Sequence, residues 1–283
     1  MRWLLPLLMY CSCTCAGTQT VVYPQPESAS DPRAGYPIEV LKLALSKAGA
    51  AFVLQPTATP MQQGRALRQL AIGEGVSVVW SMTSIEREEQ LRPIRIPLYK
   101  GLIGLRLLLI RAEDRTRVAN LDEDQLRQLP AGQGHDWPDR AILAANGFKV
   151  VPSSTYEGLF LQLRQRRIDI FPRSITEIWD EAKARKAEQL LIDERFALYY
   201  PTAFYFFVNR DDERLATLLE SGLEKSLTDG SFDALFTAYL GEAILASRLH
   251  QRHIIRLENP VLPAQTPLHR KELWYPVVAD PVP

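Results

Sequence analysis

Along this chain, short continuous apolar runs alternate with stripes of apolar residues at helical spacing, an order that predicts a mainly parallel α/β protein. A strand over residues 20–23 ends at Pro24, and the polar, Pro-containing stretch to Gly35 reads as a loop. Ile38, Leu41, Leu45 and Ala48 share one face of a helix that Gly49 stops, and a strand follows over residues 51–54. A second helix, residues 62–72, turns Leu67, Leu70 and Ala71 inward before Gly73 closes it. The β-branched run Val76, Val78, Val79 then reaches Trp80-Ser81-Met82-Thr83-Ser84-Ile85-Glu86-Arg87. A buried strand that stops at hydroxyls and a guanidinium is how open α/β sheets assemble ligand sites.

After Ile110 the pattern restarts as a second lobe. A helix is predicted over 121–129 from Leu121, Leu126 and Leu129, then a loop at Gly132-Gln133-Gly134 and a helix over 138–146 that Gly147 ends. Thr155 suits an N-cap for a helix carrying Leu159, Phe160 and Leu163, which leads to a buried strand at 168–171 and a helix over 176–189. An aromatic-rich strand at 203–208 precedes a helix over 214–227, and Asp229-Gly230-Ser231 closes that helix and opens another with Phe232, Leu235, Phe236 and Tyr239 inward. Beyond Arg252 the tail holds Pro260, Pro263, Pro267, Pro276, Pro281 and Pro283, so little of it can be helical. Its apolar residues, among them Leu257, Val261, Leu273 and Trp274, predict an extended strap on the body.

Residues 1–17 carry one positive charge, a short apolar core and small residues around Ala16-Gly17, the pattern of a cleaved export signal. All three cysteines (Cys11, Cys13, Cys15) fall inside it, so the mature chain would hold no disulfide and no Cys-ligated metal. A lipoprotein anchored at one of them is the alternative, although Leu8-Met9-Tyr10 lacks the small residue expected before a modified cysteine. With 33 basic and 33 acidic residues and no basic stripe, nucleic acid is not an expected partner. No later apolar run approaches the roughly 20 residues of a membrane span, which predicts a periplasmic protein.

Three separated blocks carry a family resemblance. Ser84-Ile85-Glu86-Arg87 followed by Ile96-Pro97-Leu98-Tyr99 resembles the Thr-x-Glu-Arg … Pro-Tyr block of bacterial extracellular solute-binding proteins of family 3. Gly158-Leu159-Phe160 through Arg167-Ile168-Asp169 is similar to that family's helix and following Gly-Arg-Val-Asp, and Phe207-Val208-Asn209 through Asp229-Gly230-Ser231 to Leu240-Gly241 resembles its closing helices. The resemblance spans about residues 20–243 in order and implies the type II periplasmic-binding-protein fold, with two lobes, two crossings near residues 101–104 and 200–203, and ligand in the cleft between lobes. Residues 18–103 and 203–251 would form the first lobe, 104–202 the second, and 252–283 a strap on the first.

On this resemblance Arg87 corresponds to the arginine that grips a ligand carboxylate, a task suited to a planar guanidinium with paired donors. Ser81, Thr83 and Ser84 stand where the family's donors contact ligand, although Thr83-Ser84-Ile85-Glu86 also fits a capping box. Trp80 and Tyr23 are candidate walls of the cleft, Arg65 and Gln63 open a helix that can reach it, and Glu27 is expected to face solvent. In the second lobe, His135 and Trp137 follow the Gly-x-Gly, which lacks the rest of a dinucleotide fingerprint. Arg173 and Ser174 occupy the place where amino-acid-binding relatives carry an aspartate for the ligand ammonium. An arginine there would favour anionic ligands, unless Glu177 pairs with it four residues on.

His250 and His253 at helical spacing have no acidic ligand in register, so a solvated basic face is expected and no metal. With no catalytic motif and no cofactor motif, the expectation is a monomeric, non-enzymatic protein that binds a small carboxylate-bearing ligand. A membrane transporter or sensor would be its partner. An enzyme on the same fold, dehydratase-like, and a signalling protein with a degenerate cleft are the rival readings.

Overall fold

The computed structural model describes residues 19–28, 31–49 and 51–276; the expected export signal with its cysteines, and the end of the tail at 277–283, lie outside them. Strand β1 (Gln19–Gln25) leads to helix α1 (Gly35–Lys47) and strand β2 (Phe52–Pro60), which pairs parallel to β1 with Val21 opposite Leu54. Helix α1 buries Val40, Leu41, Ala44 and Leu45; Leu41 and Leu45 are the expected core positions, while Ile38 and Ala48 are only partly buried because the buried face is rotated toward Val40 and Ala44. Strand β2 runs well past residue 54, through Pro56 and Pro60, because it lies at the sheet edge where a missing N–H leaves no partner unpaired. Helix α2 (Gln63–Ala71) and strand β3 (Val78–Met82) follow, with Ser77 bridging backbone to Val22 of β1. Helix α3 (Ile85–Gln90) and strand β4 (Arg92–Ile94) complete this first passage.

The chain then enters the second lobe through strand β5 (Leu105–Arg111), buried along its whole length. Short helices α4 (Arg115–Ala119) and α5 (Glu123–Gln128) come next. The second is shorter than its apolar spacing suggests because Asp122 and Gln125 form a capping box that fixes its start. Strand β6 (Pro130–Gly134), helix α6 (Asp139–Ala145), strand β7 (Lys149–Ser153) and helix α7 (Tyr156–Arg164) follow, the last capped by Thr155. Strand β8 (Phe171–Ser174), helix α8 (Ile178–Ala184) and strand β9 (Leu190–Tyr199) close the lobe.

The local structure departs from the sequence expectation at three places. Gly132-Gln133-Gly134 is a buried strand and not a loop. Its glycines answer to close approach, since a Cβ on Gly132 would lie 2.3 Å from Ile168 Cδ1 and one on Gly134 2.5 Å from the Trp137 ring. The strand expected at 168–171 begins at Phe171, with only an isolated bridge from Ile170 to Ala131 before it. The helix expected over 176–189 stops at Ala184, and a 3-10 turn Lys186–Glu188 ends at Gln189 with φ 53, the left-handed turn that feeds β9.

Returning to the first lobe, strand β10 (Phe204–Val208) inserts antiparallel between β3 and β4, and helices α9 (Glu213–Thr228) and α10 (Ser231–Ser247) cover α1. The first lobe thus holds a two-stranded sheet β1-β2 and a three-stranded sheet β3-β10-β4, joined by the Val22–Ser77 hydrogen bonds. At the crossings the two chain segments touch: Tyr200 N donates to Gly104 O, and a Cβ on Gly104 would fall 2.1 Å from Tyr200 O. Glycine is required there by contact between the crossing strands.

The tail departs from expectation. It is not confined to the first lobe, because strand β11 (His253–Arg256) pairs parallel to β9 and completes a four-stranded sheet β11-β9-β5-β8, which the isolated Ala131–Ile170 bridge links to the pair β6-β7. His250 and His253 therefore sit on a 3-10 turn and a strand, not on one helical face, and His253 meets Glu123. The strand forms because β9 offers an open edge and Ile255 finds a buried position against the second core. Downstream, Asn259 donates to Pro201 O at the crossing, Ile85 N of the first lobe donates to Val261 O, and Tyr275 N donates to Lys100 O. The strap is tied to both lobes.

Candidate functional site

The facing surfaces of the lobes meet through specific hydrogen bonds. Asp136 of the second lobe accepts from Gly64 N at 2.7 Å, capping the start of α2 across the cleft, and Gln62 donates to Ser154 O at 3.0 Å. Arg87 is set by its own helix start: Ser84 caps α3 by accepting from Arg87 N, and the side chain turns back toward the end of β3. One guanidinium nitrogen donates to Ser81 Oγ and to Met82 O at 2.7 Å. The other donates to Gln63 Oε1 at 2.9 Å and, across the cleft, to Asp136 O at 2.7 Å.

Behind Gln63 lies a cavity of ≈ 90 Å³ walled by Glu27, Asp31, Arg33, Trp80 and Tyr99 from the first lobe and Glu177 from the second. Arg33, Gln63, Glu177 and Phe204 continue it into a smaller recess against Trp137, Arg106 and Arg173. On the outer side of Arg87 a groove of ≈ 390 Å³ opens between Ser84, His135, Asp136 and Trp137.

Four arginines bear on this cleft, and three are ion-paired. Arg33 forms a two-pronged pair with Asp31 at 2.7 and 2.6 Å. Arg106 meets Asp139 at 2.7 Å and Glu177 at 3.6 Å, while Tyr200 OH donates to Asp139. Arg173 donates to Glu181 at 2.8 and 2.6 Å and meets Glu177 at 2.9 Å. Arg87 alone among these four has only neutral oxygens as hydrogen-bond acceptors. Burial, offset only in part by the nearby charges of Asp136, Asp139 and Glu86, pushes the Arg87 guanidinium down to about 10, so it stays charged at neutral pH.

Desolvation likewise raises the carboxyls of Glu27 and Glu177 above the ordinary range, Arg33 and Arg173 respectively offsetting part of it. Burial would also raise Asp31, but the bonded Arg33 outweighs it and holds that carboxyl below its usual value. Glu177 Oε2 is buried at the cavity edge, ion-paired to Arg173 at 2.9 Å and to Arg106 at 3.6 Å.

The sequence candidates fall into distinct places. Trp80 and Trp137 line the cleft, and Ser81 and Ser84 position Arg87. Thr83 does not cap α3; its hydroxyl donates to Glu88 at 2.6 Å, since Ser84 holds the cap. Tyr23 packs on Trp80 with ring centres 5.7 Å apart and stands outside the cavity lining. Arg65 is exposed on the outer turn of α2, and His135 is half exposed at the outer groove.

Ser174 faces away, bonded to Leu102 O and Thr176 near the first crossing. Arg173 does not present a free charge to the cleft, because Glu177 and Glu181 enclose it; the preference for anionic ligands inferred from it does not hold. Glu27, expected in solvent, is largely buried and accepts from Tyr156 N across the cleft at 3.5 Å. Asp31 and Arg33 carried no sequence signal beyond a charged pair ahead of a helix, and nothing in their spacing marks the cleft. Among the described residues no cluster of side chains suits a metal ion, and no helix is long and apolar enough to cross a membrane.

No family model and no curated protein matches the sequence. Solved structures do. An ancestral arginine-binding protein bound to arginine is 17% identical with a TM-score of 0.58, the match covering 79% of this chain and 98% of that one. The substrate-binding protein of an amino acid ABC transporter is 12% identical with a TM-score of 0.59 over 78% of this chain and 99% of that one. A histidine kinase sensor domain similar to periplasmic binding proteins is 16% identical with a TM-score of 0.58 over 80% and 96%.

Proposed function

We propose that this chain, which has the type II periplasmic-binding-protein fold shared with amino-acid-binding proteins, captures a small carboxylate-bearing solute of the amino-acid class between its lobes. The observation that carries this reading is Arg87: a buried guanidinium at the cleft with neutral partners, where the other three cleft arginines already hold carboxylates. A ligand carboxylate would take the place of Gln63 and the Asp136 carbonyl on Arg87, exchanging neutral acceptors for a charge-assisted fork. Glu177, an acid on the cavity wall four residues beyond Arg173, is the acceptor for a ligand ammonium, its Oε2 shared with Arg173 and Arg106.

Closure follows from the same contacts. Asp136, Gln62 and Arg87 hold the lobes together through bonds that a hinge at the crossings makes and breaks, so a ligand touching both walls favours the closed form. A transporter or a sensor that distinguishes closed from open is the partner this implies, and the similar structures include one protein of each kind. The protein is read as periplasmic, monomeric and a binder, not an enzyme.

The test is a thermal-shift screen of amino acids, dicarboxylates, sulfonates and polyamines, with hits confirmed by titration calorimetry. A hit recovered chemically unchanged and lost in Arg87→Ala is the expected result. Binding of equal strength in that variant removes Arg87 from the site, and turnover of the ligand replaces the binding reading with an enzymatic one.

A further inference from the structure

Arg33 belongs to the first lobe, on the turn Pro32–Ala34 ahead of α1, yet its guanidinium lies against aromatic rings of the second. Two acids of its own lobe hold it: Asp31 through the two-pronged pair, and Glu27 at 3.8 Å. Two rings of the other lobe cover it, with the guanidinium carbon 4.1 Å from the centre of Tyr156 and 5.7 Å from that of Trp137. Carboxylates in the donor plane and aromatic faces beside it make a site for an alkylguanidinium or ammonium ion.

The site is built and not incidental. Tyr156 OH donates to Glu181 at 2.9 Å, the Trp137 ring stacks on Phe171 with centres 6.4 Å apart, and Asp31 in turn accepts from Arg33 N. The cage closes only when the lobes meet, because its acids and its rings come from opposite sides of the cleft.

We propose that Arg33 is a specificity-determining residue that fills the cation subsite of the cleft with the protein's own guanidinium. The cleft then takes amino acids with neutral or acidic side chains and excludes those ending in guanidinium or ammonium. The inference rests on the amino-acid-class reading above. A cationic side chain entering this cavity would have to displace a two-pronged ion pair while facing the like charge of Arg33. Neutral side chains meet Trp80, Tyr99 and Phe204 beside a pair that needs no further partner.

The experiment compares the wild type, Arg33→Ala and the double variant Asp31→Asn/Arg33→Ala by calorimetry with two probes, methylguanidinium chloride and L-arginine. Truncation of Arg33 is expected to tighten both by about tenfold or more, and loss of the Asp31 charge to abolish the gain. A wild type that binds both probes as tightly as Arg33→Ala overturns the proposal, and so does an Arg33→Ala variant with no gain. A second measurement needs no variant: the wild type should prefer citrulline, the neutral isostere, over arginine, and the reverse order overturns the proposal. If the wild type binds no amino acid, the ligand-class reading fails, while methylguanidinium on Arg33→Ala still decides the role of Arg33.

Discussion

Arg87 in the first lobe and Arg173 in the second are both buried at the cleft, and they are satisfied in opposite ways. Around Arg173 the second lobe supplies Glu181 and Glu177, so that charge is spent on holding α8 against β8. Around Arg87 the first lobe supplies a hydroxyl, an amide oxygen and a carbonyl, and the opposite lobe a second carbonyl. Burial without a counter-charge is costly, and proteins retain it where another anion completes the set. An arginine in a cleft reports on ligand only after its carboxylate partners have been counted.

The comparison breaks most visibly at Arg173. Arg173→Ala leaves two buried carboxylates facing each other, and unfolding by denaturant should show a loss of about 3–5 kcal/mol. Arg87→Ala should cost about 1–2 kcal/mol by the same measurement, since its partners are neutral, while abolishing the ligand-dependent rise in melting temperature. If the two variants lose equal stability, the distinction between a structural and a recognition arginine falls.

Gly64→Ala is a smaller perturbation. The new Cβ would meet Asp136 Oδ2 at 2.5 Å, so the carboxylate must leave the start of α2 and one interlobe bond worth about 0.5–1.5 kcal/mol is lost. Small-angle scattering should register a more open average and calorimetry a weaker affinity with the same ligand preference; unchanged dimensions would mean that Asp136 does not hold the lobes closed.

The smallest effects are in pH. Glu177 has a folded-state pKa raised above 4.5, so its contribution to stability is full below 4.5 and declines as pH rises through the raised value; Glu177→Gln should flatten that decline. Asp31 has the opposite sign: its pKa is lowered from 3.8, so its contribution is present above 3.8 and is lost as pH falls through the lowered value. Asp31→Asn should remove that acid limb from a stability–pH curve measured by denaturant unfolding.

Much of the α/β order was legible because burial imposes periodicity. The α1 stripe Leu41, Leu45 and the aromatic strand at β10 are patterns that a core-facing helix and a doubly covered strand cannot avoid. The errors fall where residues serve two purposes. Gly132 and Gly134 read as a loop, yet they are strand residues kept small by Ile168 and Trp137, neighbours that only packing reveals. Glu27 read as solvated because a polar residue in a Pro-rich loop normally is; the approach of Tyr156 from the other lobe buries it.

What the sequence determined by itself is the α/β character, most of the helices with the strands near residues 20, 52, 78 and 204, and the place of Arg87 on the helical turn just after a buried strand, since local periodicity, capping and the family-like blocks all lie along the chain. The tertiary structure decided which charges remain to be used. Glu181 closes on Arg173 from eight residues away, Asp31 and Arg33 meet the rings of Tyr156 and Trp137 across the cleft, and β11 crosses to the four-stranded sheet of the second lobe to tie both lobes. The physical reason is that pairing of charges and burial of a strand edge depend on distances in space, which no spacing along the chain encodes.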